Sequence, residues 1–243
     1  MTQVWFADNS NAGGNLVGLK EWWELLKQIG PSYGYYPKPG KTCLVLKDPV
    51  LMPRAEELFG EEGVKITVEG KRQIGAVIGT EEFKLKFVSE KIEKWVQDVN
   101  QLSEIAQEQP QAALSAFNVG LSQRWKFIQR TVGGIGHLFQ PIEDAIRNRL
   151  LPALCGRELS DSERRLMALP YRYGGLGLLN PTETAAREYN ASVLITSGLT
   201  DLICQQETDL SLFDRNAMAE VKLQMNRAKE EVFRQEFERL RWT

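Results

Sequence analysis

The spacing of hydrophobic residues changes near Thr80, and this change divides the chain into two predicted regions. Before Thr80, short apolar runs are separated by stretches rich in Gly and Pro, which is typical of strands and short helices. After Thr80, apolar residues recur every three or four positions, which is typical of amphipathic helices. The pattern therefore predicts an α+β fold, in which a small β layer with helices precedes a mainly α-helical region.

The same pattern predicts the individual elements. Helices are predicted over 16–29, 53–59, 80–109, 111–131, 138–154, 182–206 and 214–242. Strands are predicted over 41–47, 64–69 and 73–78, with Gly70-Lys71-Arg72 as the turn between the last two.

The first apolar run, Gln3-Val4-Trp5-Phe6-Ala7, leads to Asp8 and Asn9 and predicts a buried strand that ends in a tight turn. An aspartate held at the tip of a hairpin suits a divalent cation such as Mg²⁺, which prefers carboxylate oxygens. The alternative is an ordinary solvent-exposed turn aspartate, and this segment alone favours that alternative.

Charge is unevenly distributed along the chain, although the net charge is only −2. Residues 111–157 contain six basic and two acidic residues, whereas residues 81–110 contain four basic and seven acidic residues. Residues 158–243 contain eleven basic and fourteen acidic residues, and are also net acidic. A local basic block is what contact with phosphates requires. An ordinary solvated helix face is the alternative.

Composition limits the compartment and the class of protein. No apolar stretch approaches the roughly 20 residues of a membrane-spanning helix, and the first residues lack the pattern of a secretory signal. Cys43, Cys155 and Cys204 are odd in number and far apart, which argues against a disulfide scaffold and a zinc site. We therefore expect an intracellular protein from a reducing compartment, with no membrane association.

Three short motifs in the first region resemble those of polymerases. Phe6-Ala7-Asp8-Asn9 resembles motif C of the reverse transcriptase palm, the segment 34–42 resembles motif D, and the segment 70–75 resembles motif E. Five further segments are similar to the thumb side of retrotransposon polymerases. They are Trp125, Arg130-Thr131, Pro141-Ile142-Glu143, Leu169-Pro170 and the glycines of 174–177. By their order and spacing, residues 3–205 resemble a retroelement reverse transcriptase.

This resemblance implies the C-terminal fragment of an RNA-directed DNA polymerase. Asp8 would be the metal ligand for Mg²⁺, while Asn9 replaces the second aspartate of motif C and would weaken metal binding. The chain starts at motif C, so the fingers, motif A and motif B are expected in a separate N-terminal polymerase half. The fragment alone is then expected to be inactive.

The resemblance also implies residues that contact the nucleic acid. Lys41, with Lys38 as a rival, would approach the incoming triphosphate. Gln73, Ile74 and Gly75 would grip the primer end, and a tight bend between strands is the alternative for them. The expected partners are an RNA template and a DNA primer, or the RNA–DNA duplex that they form.

In the basic block, Arg124, Lys126 and Arg130 are the candidates for contact with nucleic acid. Trp125 keeps helical spacing with its apolar neighbours and is therefore expected in the core. His137 is expected to be structural, and the glycines of 174–177 predict a turn and no cofactor loop.

These interpretations divide the chain into three parts. Residues 1–80 are predicted to be a partial palm, residues 81–210 a helical thumb-like region, and residues 211–243 a C-terminal amphipathic helix. Two alternatives remain at this point: a non-catalytic nucleic-acid-binding protein, and a helical protein-interaction module.

Overall fold

The computed structural model describes residues 1–6, 9–209 and 214–241, which are mainly helical and contain three separate two-stranded sheets. The predicted α+β fold class is confirmed. The helices are α1 (Leu16–Ile29), α2 (Met52–Phe59), α3 (Glu81–Glu108), α4 (Pro110–Ser115), α5 (Ser122–Thr131), α6 (Gln140–Ala145), α7 (Leu151–Cys155), α8 (Asp161–Ala168), α9 (Pro181–Gln205) and α10 (Arg215–Leu240). The strands are β1 (Thr2–Phe6), β2 (Asn9–Gly13), β3 (Cys43–Val45), β4 (Lys65–Thr67), β5 (Gly70–Gln73) and β6 (Ala76–Gly79).

The chain folds into two compact units. The first unit consists of Met1–Lys84 and Ser197–Asp214, and the second of Leu85–Thr196 and Arg215–Thr243. The end of α9 therefore belongs to the first unit, and α10 belongs to the second. None of the helices described in either unit is long and apolar enough to cross a membrane.

The hairpin of β1 and β2 lies near the surface of the first unit. The two strands pair antiparallel, with Phe6 opposite Asn9. The prediction that β1 is buried is wrong, since Val4, Trp5 and Phe6 are each more than a third exposed. The reason is that the sheet has only two strands. Its best-packed aromatic, Trp5, makes an edge-to-face contact with Tyr35.

The core of the first unit forms between α1, α2 and β4. Helix α1 has the bounds that its hydrophobic spacing predicts, and the side chain of Asn15 caps it by accepting a hydrogen bond from the Gly18 N–H. Trp23, Phe59 and Val64 are buried together. The aromatic rings fix α1 against α2, so the segment between them is held at both ends.

The hairpin of β5 and β6 turns at Ile74 and Gly75, and the predicted turn at Gly70-Lys71-Arg72 is wrong. Both turn residues have positive φ, 47° for Ile74 and 81° for Gly75, which suits the right-handed twist of a two-residue hairpin. Gly70 instead lies opposite Gly79 in the strands. A Cβ at Gly70 would lie 2.4 Å from the Ile78 carbonyl oxygen, so glycine is needed there for close strand approach.

Aromatic residues organise the core of the second unit. Trp125 is buried, as its spacing predicts, and makes edge-to-face contacts with Trp95 and Phe117. The predicted helix 111–131 is α4 and α5 joined by a π-helical segment, Ala116–Leu121. The predicted helix 138–154 is likewise α6 and α7 joined by a π-helical segment, Ile146–Leu150.

A buried ion pair connects α8 to α6. The Arg164 guanidinium donates two hydrogen bonds to the Glu143 carboxylate, at 2.7 and 2.6 Å, and one to the Leu178 carbonyl oxygen at 2.8 Å. The three buried N–H groups of Arg164 named here therefore all have hydrogen-bond acceptors. The hydrogen bonds fix the turn after α8, which contributes to the site described next.

Candidate nucleic-acid interface

The metal-binding part of the sequence prediction depends on Asp8, which lies outside the described residues. Asn9 is the first residue of β2 and is exposed. The described residues of β1 and β2 include no carboxylate. In the described ranges, no group of three or more His, Cys, Asp or Glu residues is placed to hold a metal ion. The described side chains therefore do not form a magnesium site on their own, and Mg²⁺ remains a prediction.

The three motifs of the first region are brought together at the first hairpin. The Gln73 amide Nε2 donates a 2.7 Å hydrogen bond to the Asn11 Oδ1, which places the β5–β6 turn beside β2. The hydroxyl groups of Tyr35 and Ser10 are 2.8 Å apart and hydrogen-bonded. The predicted primer-grip turn and the start of the motif D segment thus both contact the β1–β2 hairpin.

Lys41 and Ile74 are both exposed residues of the first unit. Lys41 ends a 3-10 turn, Pro39–Lys41, and its ammonium group pairs with no described residue. The rival, Lys38, is also exposed. Ile74 is 52% exposed at the tip of its hairpin, although it is an apolar, β-branched residue. The exposed position of Ile74 allows contact with a ligand. Packing does not explain why this residue is an isoleucine.

Two of the three predicted contacts in the basic block are already neutralised. Arg124 lies 3.0 Å from an Asp98 carboxylate oxygen, and Arg130 lies 2.9 Å from a Glu188 carboxylate oxygen. Both arginines are more than half exposed. These are surface ion pairs, which offset most of the local positive charge.

Lys126 differs from its two neighbours, because it is half-buried and lines a pocket. The pocket has a volume of about 710 Å³ and lies within the second unit. Its walls are the π-helical segment Ala116–Leu121, α5, the turn that follows α8, and α10. Polar and aromatic residues that line it include Asn118, Lys126, Tyr171, Arg172, Lys229 and Phe233. We refer to it as the basic pocket.

The basic pocket contains positive charges that burial makes unfavourable. The pKa of Lys126 is lowered chiefly by burial and further by the charge of Lys229, against an opposing effect of Glu188. The pKa of Lys229 is also lowered chiefly by burial. Neither lysine has a carboxylate within ion-pair distance among the described residues. Their ammonium groups have thus lost part of their hydration, which the charge of Glu188 and, for Lys229, the Phe233 ring 5.8 Å away offset only in part.

Further positive charges surround these two lysines. Arg187, Arg130 and Arg172 lower the pKa of Lys229 in addition to burial, while Glu188 raises it. The Nε and Nη2 atoms of Arg187 are buried, and neither has a hydrogen-bond acceptor. A buried donor without an acceptor is costly, and a charged one more so. The cluster would be relieved by an anion.

Hydrogen bonds fix the walls of the basic pocket. The Glu230 carboxylate of α10 accepts hydrogen bonds from Arg172 and, at 2.7 Å, from the Tyr173 hydroxyl group. The Asn118 Nδ2 donates to the Leu176 carbonyl oxygen at 3.0 Å. The π-helical segment and α10 are therefore both tied to the turn after α8, so the pocket is built before any ligand arrives.

Sequence reasoning missed Lys229 and Arg187, because their regions are net acidic. One signal was available for Lys229. It lies four residues after Met225 and four before Phe233, so it occupies the apolar face of α10. A lysine on the apolar face of a helix lies among buried side chains. Such surroundings shift the pKa of the lysine, which is a feature of functional sites.

Comparison of the chain with protein-family models, with curated proteins and with solved structures found no match.

Proposed function

We propose that this chain binds nucleic acid through the basic pocket and its surroundings in the second unit, as the thumb side of a reverse-transcriptase-like polymerase. The observation that carries the proposal is the pair of half-buried lysines that line the basic pocket, Lys126 and Lys229, neither of which forms an ion pair with a described residue. Nucleic-acid phosphates supply negative charge and hydrogen-bond acceptors.

The contacts of the first unit support the polymerase part of the proposal. A polymerase must bring its metal hairpin and its primer grip to the same primer end. The Gln73–Asn11 hydrogen bond places the two corresponding hairpins side by side. Asp8 would be the ligand for Mg²⁺, which when bound neutralises phosphate charge. In this proposal the chain contributes template and primer binding.

The alternative of a helical protein-interaction module has less support. In that alternative, α10 pairs with a partner protein through its apolar face. Phe233 on that face is buried within the second unit, and Glu230 is tied to Arg172 and Tyr173. Helix α10 therefore packs through Phe233 inside its own unit, although Leu223 and Val232 are each 49% exposed.

Binding of an RNA–DNA hybrid across a salt series tests the proposed function. We expect binding that weakens steeply with salt, because phosphate contacts release counterions. Lys126→Ala and Lys229→Ala should each weaken binding and lower the salt dependence by about one unit. Arg234→Ala serves as the matched control, because Arg234 is on α10 and paired with Glu231. Equal losses in all three variants, or no binding of the hybrid at low salt, would contradict the proposal.

A further inference from the structure

The basic pocket has the size of a small-ligand site and not of a duplex groove. Its volume of about 710 Å³ falls in the range of pockets that enclose small molecules. The two lysines that line it are half-buried. In a duplex only the backbone phosphates are free to contact these lysines, because the bases are paired, whereas an unpaired nucleotide can also place its base in the pocket.

The polar and apolar sides of the pocket match the two parts of a nucleotide. Lys126 on α5 and Lys229 on α10 supply positive charge for a phosphate. Tyr171 at the rim is 65% exposed, whereas Phe233 is buried in the wall with its ring centre 5.8 Å from the Lys229 ammonium group. The exposed ring of Tyr171 can stack on a nucleobase without regard to sequence. Phosphate and base thus each find a complementary side chain.

The π-helical segment Ala116–Leu121 is a second, independent feature of this wall. Single π-helical turns within α-helices are rare and are frequent at functional sites. This one brings Asn118 and Val119 to the pocket. The Asn118 Nδ2 lies 3.3 Å from the Tyr171 hydroxyl oxygen, so the turn also positions the exposed ring.

We propose that the basic pocket captures one unpaired nucleotide, with its phosphate between Lys126 and Lys229 and its base stacked on Tyr171. The inference rests on the proposed nucleic-acid binding and names the part of the ligand that enters the pocket. It implies that the chain prefers nucleic acid with a single-stranded end over a fully paired duplex.

The test compares the affinities of the whole chain for two RNA–DNA hybrids of the same paired length. One hybrid is blunt, and the other has a short 3′ overhang. We expect the overhang to be bound about tenfold more tightly, the effect of one stacked base. Tyr171→Ala should remove this preference, so that the two hybrids are bound with equal affinity. Tyr33→Ala is the matched control, since Tyr33 is an exposed tyrosine of the first unit. It should keep the preference.

The outcomes separate the inference from the proposed function. Equal, salt-dependent affinities for the two hybrids would overturn the nucleotide pocket and leave the proposed function intact. A preference that survives Tyr171→Ala would also overturn it. Binding of neither hybrid would overturn both. Lys126→Met, which removes a poorly hydrated charge and is expected to fold, should lower the affinity for the overhang hybrid more than for the blunt one.

Discussion

Lys126 has a positive charge that the described residues offset only in part. Its ammonium group is half-buried, and burial with the charges of Lys229 and Arg130 lowers its pKa, against the effect of Glu188. Such a charge reduces stability, and the proposed ligand would supply the negative charge that it lacks.

We predict opposite pH dependences for folding and for binding at the two lysines of the basic pocket. The folded-state pKa of Lys126 is below its ordinary value of 10.5, so its deprotonation favours folding. Without ligand, its contribution to the free energy of unfolding should rise as the pH rises through the lowered pKa. Affinity for a hybrid should fall over the same interval, because a neutral lysine does not attract phosphate.

Lys126→Met checks this assignment directly. The variant should leave the free energy of unfolding unchanged or raise it by up to about 1 kcal/mol, since an apolar side chain needs no hydration there. Urea denaturation measures stability, and affinity for a hybrid between pH 7 and 10 measures binding. A variant that is clearly less stable than the wild type would show that Lys126 has a structural role.

Glu62 is the charged residue on which the first unit depends most. Its pKa is held well below the usual range by hydrogen bonds from Lys20, Lys27 and Trp23. The Trp23 Nε1 donates at 2.9 Å and the Lys27 Nζ at 2.7 Å. The carboxylate thus connects α1 to the turn after α2.

We predict that Glu62→Gln lowers the free energy of unfolding by about 1 to 2 kcal/mol, the value of hydrogen bonds to a charged group. Because the folded-state pKa is depressed, the stabilisation is complete above the ordinary pKa of 4.5 and is lost as the pH falls below it. The difference between wild type and variant should therefore shrink in acid. Glu57→Gln is the control, because Glu57 is exposed and should matter little. A loss that persists unchanged at low pH would contradict the assignment.

At the scale of elements, the β5–β6 hairpin combines strain with exposure. Ile74 has a φ of 47°, which is unfavourable for a β-branched residue, and its side chain is 52% exposed. Ile78 in β6 has the same exposure and no such φ. Strain that packing does not explain is a feature of functional turns.

Ile74→Gly and Ile78→Gly form a matched pair that tests this reading. Ile74→Gly should raise the free energy of unfolding by about 1 kcal/mol, because glycine adopts positive φ without strain. Ile78→Gly should lower it by a similar amount, since glycine weakens a strand. If Ile74 grips the primer, its variant should also bind a hybrid less tightly despite its greater stability. A destabilised Ile74→Gly would show that the turn is not strained.

The hydrophobic pattern predicted the long helices and the short α2 to within two residues, and it missed α8 and the interruptions within two helices. Helix α1 has its predicted bounds, and α3 nearly so, because each has an unbroken apolar face and defined ends. Neither π-helical segment was predicted, since one inserted residue hardly changes the hydrophobic period. Helix α8 was missed because it is short, although the capping box of Ser160 and Glu163 marks its start.

The candidate site was predictable only in part, for a similar physical reason. Lys126 was identified from the local surplus of basic residues. That surplus did not show that Arg124 and Arg130 are paired with Asp98 and Glu188, which come from other helices. Pairing and burial depend on tertiary contacts, which a charge count along the chain does not contain.

At the scale of the whole molecule, net charge is a poor guide to local charge. The net charge is −2, and surface arginines such as Arg124, Arg130 and Arg234 are paired with acidic residues. The basic pocket is assembled from α5, α10 and the turn between α8 and α9, which are far apart in the sequence. Its positive charge remains because no carboxylate of the described residues reaches its two lysines.

A comparison of two charge-matched double variants tests the central claim most directly. One variant combines Lys126→Met with Lys229→Met, and the other combines Arg124→Ala with Arg234→Ala, so that each removes two positive charges. Binding of a blunt RNA–DNA hybrid is measured for both across a salt series. The account predicts that the lysine variant binds much more weakly, with a salt dependence lower by about two units, while the arginine variant stays close to wild type. Equal losses in the two variants, or a larger loss in the arginine variant, would contradict it.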